Sequence, residues 1–149
     1  MNISNKKKTS ALKRLFFLVS VFIAAISLIL FLIDVLYGII SVGAFSLWYL
    51  YFHVADYQYI EFSDEENKVL LRYYKAIKFG GGAYNSIEFP QNALLQANFE
   101  NSVFGKLTDL TIVIKTKRGP AEYPSVSLTA LPKDDRIKIK KSLNQIINN

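Results

Sequence analysis

The chain has 149 residues and a mass of 17.0 kDa, which is room for one ordinary domain. Half of it, 51%, is hydrophobic, and it contains no cysteine and one histidine, His53. That excludes disulfides, thiolate metal sites, thiol nucleophiles and multi-histidine metal centres.

A net charge of +6 looks like a nucleic-acid signal until it is divided along the sequence. Of the 18 basic residues, five (Lys6, Lys7, Lys8, Lys13 and Arg14) precede the first apolar run. All but Asp34 of the 12 acidic residues lie from Asp56 onward, so the remainder is nearly balanced and lacks the electrostatic footprint for nucleic acid.

Residues 1–14 read as a basic cytoplasmic tail. From Leu15 to Ile33 the sequence is LFFLVSVFIAAISLILFLI, broken only by Ser20 and Ser27. As a helix it would be about 28 Å long, close to the thickness of a bilayer core. A second run, Val35 to Phe52, starts directly after Asp34 and gives a similar length, so residues 15–52 predict a transmembrane helical hairpin.

Asp34 is tolerable at an interface and costly at mid-bilayer, which puts the turn at Asp34 to Gly38. Hydroxyls of Ser20, Ser27, Ser41 and Ser46 can bond to carbonyls of their own helices. Ser20, Ala24 and Ser27 on the first helix, with Gly38 and Ser41 on the second, offer small-residue faces for close packing. Trp48, Tyr49 and Tyr51 suit an interfacial aromatic belt, with His53 beside them at the headgroup level.

The apolar stretch is too long for a signal-peptide core and runs into a second span, so an uncleaved anchor is expected. By the positive-inside rule Lys6, Lys7, Lys8, Lys13 and Arg14 hold the amino terminus in the cytoplasm, and two crossings return the rest of the chain there. The expectation is a multi-pass inner-membrane protein with both termini cytoplasmic.

Beyond the spans, residues 53–149 read as a cytoplasmic domain whose apolar residues alternate as in half-buried strands. Strands are predicted at Tyr57 to Phe62, Lys68 to Lys75, Ser86 to Phe89, Leu94 to Phe99 and Leu107 to Lys115. Another lies at Glu122 to Leu128, where Pro124 implies an edge or a bulge. The last segment predicts a helix from Pro132, with Asp134 and Asp135 at its positive end and an apolar stripe of Ile139, Leu143 and Ile146. The fold class expected is a membrane α-helical hairpin followed by a β-rich α+β domain: a small barrel or sandwich of six or seven antiparallel strands, capped by a C-terminal helix.

Ile87 to Pro90, the turn Ser102 to Lys106, the strand Leu110 to Ile114, the Ser127 to Leu131 segment and the helix Pro132 to Ile146 together resemble the second half of bacterial pleckstrin-homology-like (PH-like) domains. Two membrane helices ahead of the domain are a common arrangement in that family. The resemblance implies a PH-like barrel and carries little functional information.

Gly80-Gly81-Gly82 lacks the Gly-Lys-Ser/Thr that opens a phosphate-binding helix and reads as a plain loop. Asp64, Glu65 and Glu66 lack calcium-loop spacing and read as a solvated turn. Tyr73, Tyr74, Tyr84 and Phe99 read as strand aromatics of the core, not as base-stacking residues. Lys115, Lys117 and Arg118 form a compact basic hairpin, the candidate contact for lipid or a partner. No catalytic, cofactor or metal site is expected. The partners expected are the bilayer and either another protein or further copies of the chain, in an interaction or scaffolding role; an anionic-lipid-responsive module is the alternative and a small membrane enzyme a more distant one.

Overall fold

The computed structural model describes residues 1–55, 57–76 and 85–149. Two apolar helices are followed by two antiparallel sheets and a C-terminal helix.

The first helix, α1, spans Lys6–Ile33, so the basic stretch extends the apolar helix toward the amino terminus. The second, α2, spans Val35–Ala55, and Asp34 alone separates them. Asp34 is extended, at φ −157° and ψ 135°, and its Oδ1 accepts a hydrogen bond from the Leu36 N–H at 2.7 Å. One carboxylate thus satisfies an otherwise orphaned amide in the first turn of α2. The reversal is confined to Asp34, and Gly38, expected at the end of the turn, is already helical.

Gly38 is buried, and a β-carbon there would land on the Phe31 ring. Ser27 is buried in the same hairpin, whereas Ala24, expected on that face, is exposed. The hydroxyls of Ser27, Ser41 and Ser46 donate to the carbonyls of Ile23, Gly38 and Val42 at 2.8, 2.7 and 3.0 Å. Both helices are long and apolar enough to cross a membrane, and only 11% of each most apolar window is buried. A core helix of a water-soluble protein would bury most of that surface.

The first sheet contains β1 (Asn2–Ser4), β2 (Gln58–Ser63), β3 (Lys68–Lys75) and β4 (Asn85–Pro90), hydrogen-bonded in that order. Ile3 pairs with Phe62, Phe62 with Leu71 and Leu71 with Ile87, placing one buried apolar row across all four strands. The β2–β3 turn carries Glu66 and Asn67 at φ 58° and 59°, with the Lys68 N–H donating to the Glu65 carbonyl at 3.1 Å. Asn is among the residues that tolerate this left-handed region best.

The second sheet contains β5 (Leu94–Ser102), β6 (Leu107–Thr116) and β7 (Gly119–Glu122), with β8 (Val126–Ser127) also paired to β6. The strand expected at Glu122 to Leu128 is split between β7 and β8. Pro124 has no N–H to give the ladder, and the bonds to β6 on either side of it run from the Tyr123 N–H to the Ile112 carbonyl and from the Leu128 N–H to the Thr108 carbonyl.

Helix α3, Lys133–Asn148, drives Ile139 and Leu143 fully into the core, and Ile146 packs at its margin. Alternation did its expected work: Leu110 and Ile112 are buried on β6 with Val126, Leu128 and Leu131 around them. Both sheets and α3 share this core, but no strand pairing among the described residues closes the sheets into one barrel.

The segment before α1 is the feature with no sequence signal. Strand β1 runs antiparallel to β2, from Asn2 opposite Ser63 to Ser4 opposite Glu61. The chain therefore meets the same sheet just before α1 and just after α2.

Candidate functional site

Four surfaces gather the polar and aromatic residues. The first is the junction between the hairpin and the sheets. Asn5 is 4% exposed; its Nδ2 donates to the Gln58 carbonyl at 2.9 Å and its Oδ1 accepts from the Ile60 N–H at 2.7 Å. The Thr9 hydroxyl, buried one turn into α1, donates to the Asn5 carbonyl at 2.9 Å. A helix that could pivot about a flexible tail is instead bonded to β2.

Above this junction the ring of Phe16 packs on Phe52 with centroids 5.1 Å apart, and Phe52 on Trp48 at 4.7 Å. The expected aromatic belt divides. Trp48 turns partly inward to this cluster, whereas Tyr49 and Tyr51 are exposed, with the Tyr51 and Tyr57 hydroxyls 3.1 Å apart. His53 is exposed and stacks on Tyr49 at 6.3 Å. Lys6, Lys7, Lys8, Lys13 and Arg14 are all exposed on the first turns of α1. Cations are unfavourable at a helix N-terminus, so helix stability does not account for their position.

The acidic turn is more than a solvated loop. The Met1 amine lies 2.7 Å from Asp64 Oδ1 and 3.4 Å from Glu65, and the Ser142 hydroxyl of α3 donates to Asp64 Oδ2. Burial pushes the Asp64 carboxyl up, but the hydrogen bonds from Met1 and Ser142 outweigh it and hold the group below the ordinary carboxylate range. The hydrogen bond to Asp64 is the main reason the Met1 amine is raised. Asp64 therefore joins β1, the β2–β3 turn and α3.

The basic hairpin stands apart from both. Lys115, Lys117 and Arg118 are exposed around a turn in which the Thr116 hydroxyl donates to the Gly119 carbonyl at 2.6 Å. Gly119 has φ +113°, a conformation that side chains rarely adopt. The expected core aromatics are partly packed. Tyr73 and Phe99 border the core and Tyr74 stacks near Tyr59 at 4.7 Å, with burial raising the Tyr73 hydroxyl above its usual range. The Gly80-Gly81-Gly82 loop and Tyr84 lie outside the described residues.

The fourth surface is a pocket of about 390 Å³ between the β5–β6 turn and α3, containing Asn101, Thr108, Lys133, Arg136 and Lys140. Arg136 Nη1 donates to the Thr108 hydroxyl at 2.7 Å, and that hydroxyl donates to Asn101 Oδ1 at 2.9 Å. The site leaves little trace in the order of residues. Its only linear trace is the spacing of Lys133, Arg136 and Lys140 at i, i+3 and i+7, one helical face; Asn101 and Thr108 join it through strand pairing.

Comparison of the chain with protein-family models, curated proteins and solved structures gives no match.

Proposed function

We propose that this chain is a membrane-anchored interaction module, with a two-helix hairpin holding a PH-like domain at the cytoplasmic face of a bacterial-type inner membrane. The observation that carries the reading is the pairing of β1 with β2. Two strands that flank a helical hairpin and bond to each other belong on one side of a bilayer. Their side also carries Lys6, Lys7, Lys8, Lys13 and Arg14, which favours the cytoplasm.

The PH-like assignment is supported by two antiparallel sheets over one core and a C-terminal helix packed into it. An interaction role is supported by the sheet margins β4 and β7, each paired on one side only among the described residues. Anchoring confines such a surface to the membrane plane and raises its effective concentration toward other membrane-bound proteins or copies of itself.

Two measurements test the reading. Accessibility of cysteines introduced at Asp34 and Asn149 is expected to place the first outside and the second inside; an external Asn149 overturns the cytoplasmic assignment. Native mass spectrometry in mild detergent is expected to show oligomers or a retained partner, and lone monomers overturn the interaction role. The second reading, an anionic-lipid-responsive module, is favoured by the exposed Lys115, Lys117 and Arg118 turn and predicts that charge reversal there weakens association with anionic lipid.

A further inference from the structure

The pocket between the β5–β6 turn and α3 is lined by three cations, Lys133, Arg136 and Lys140, and, among the described residues, by no carboxylate. Strand alternation explains the second fact. Phe99 and Asn101 on β5 and Thr108 on β6 share the lining, so Glu100 and Asp109, a cross-strand pair between them, belong to the opposite face. On α3, Asp135 is directed to Lys138 at 3.3 Å. None of the three lining cations forms an ion pair with a carboxylate among the described residues, although a pair would cost little to build on a helix of this composition.

Arg136 is held in place. Its Nη1 is bonded to Thr108, which is bonded to Asn101, while its Nε is shielded from solvent and has no acceptor among the described residues. A guanidinium with a fixed edge and an unused donor is suited to a multidentate oxyanion.

The apolar part of the lining is equally specific. Lys140 Nζ stands 5.7 Å from the Phe99 ring centroid, and Phe104 at the tip of the turn is fully exposed beside the pocket. Val103 and Phe104 both have left-handed backbones, at φ 52° and 56°. A β-branched residue and an aromatic one rarely occupy that region, and the strained turn is what carries the Phe104 ring outward.

We propose that this pocket binds a phosphate ester, with Arg136 as the central anion contact, Lys133 and Lys140 as flanking charges, and the apolar part of the ester against Phe104. The shared chemistry can come from a phospholipid headgroup or from a soluble organic phosphate. The site is separate from the Lys115, Lys117 and Arg118 turn and does not depend on that turn's role.

The test uses the full chain in uncharged detergent, titrated with inorganic phosphate, phenyl phosphate and dihexanoylphosphatidylglycerol while the Arg136 Nε–H resonance is followed. A saturable shift is expected, reached at lower concentration with phenyl phosphate than with inorganic phosphate. A tighter response to the phosphatidylglycerol than to phenyl phosphate identifies a lipid source, and the reverse order a soluble one. The double variant Lys133→Gln/Lys140→Gln changes only exposed lysines and should weaken binding by about tenfold or more. Phe104→Ala should weaken phenyl phosphate binding and spare inorganic phosphate. No saturable shift with any probe, unchanged affinity in the double variant, or a tetraglutamate peptide binding where the phosphates do not would each overturn the proposal.

Discussion

Asn5 and Ile60 are joined twice: the Asn5 N–H donates to the Ile60 carbonyl at 3.2 Å, and the Ile60 N–H donates to Asn5 Oδ1 at 2.7 Å. The second bond uses a side chain where a continuing strand would use its backbone, so the main chain is free to turn into α1 at the next residue. One amide thus ends β1 and fixes the root of α1. The same side chain also reaches the Gln58 carbonyl.

Asn5→Ala would leave a buried N–H and a buried carbonyl without these partners. The expected loss is about 1–3 kcal/mol for the orphaned groups, read by unfolding in detergent, with faster amide exchange at Ile60. Asn5→Asp keeps an acceptor but loses the donor to Gln58 and buries a charge, so it should be no better than alanine. Stability equal to wild type in both variants would show that the junction does not hold α1.

In the hairpin, Phe31 and Gly38 make a close contact that only glycine permits. Gly38→Leu is expected to destabilise the hairpin by about 1–3 kcal/mol through overpacking. Gly38→Ala is milder because alanine is the better helix former by up to about 1 kcal/mol, and Phe31→Ala should relieve its steric part. A double-mutant cycle on the pair should give a coupling of about 0.5–3 kcal/mol; additivity would mean the two helices do not meet there.

Much of this architecture could be read from residues in order. Leu110, Ile112 and Ile114 alternate along β6, and Ile139, Leu143 and Ile146 recur at helical spacing on α3, because each pattern reports one buried face. Asn2–Ser4 could not be read in this way: three residues before a lysine run have no period, and their pairing depends on β2, more than fifty residues away. The Arg136, Thr108 and Asn101 chain was hidden for the same reason, since it joins a helix to two strands. The division into two sheets is also a product of long-range pairing. Asp64 looked solvated because its neighbours are acidic, whereas its partners, Met1 and Ser142, come from the two ends of the chain.

The core role of α3 can be measured directly. Leu143 is fully buried and Ile137 is 54% exposed on the same helix. Leu143→Ala should cost about 2–5 kcal/mol through lost burial and a residual cavity. Ile137→Ala should stay within about 0.5 kcal/mol. Similar losses at both positions in denaturant titrations would contradict the packing of α3.

The attachment of β1 should depend on pH with opposite signs at its two charged groups. The Asp64 carboxyl is lowered in the folded chain, so its contribution is present above its unfolded value of about 4 and is lost as pH falls through the folded value. The Met1 amine is raised, so its contribution is present below its unfolded value of about 8 and is lost as pH rises through the folded value. The pairing is therefore strongest between those limits. The methyl resonances of Ile3, buried against β2, should hold steady from about pH 5 to pH 7 and move toward an unpaired position beyond the window on either side. Asp64→Asn removes the negative partner of the amine and should flatten both limbs; a profile identical to wild type would dissociate Asp64 from the attachment of β1.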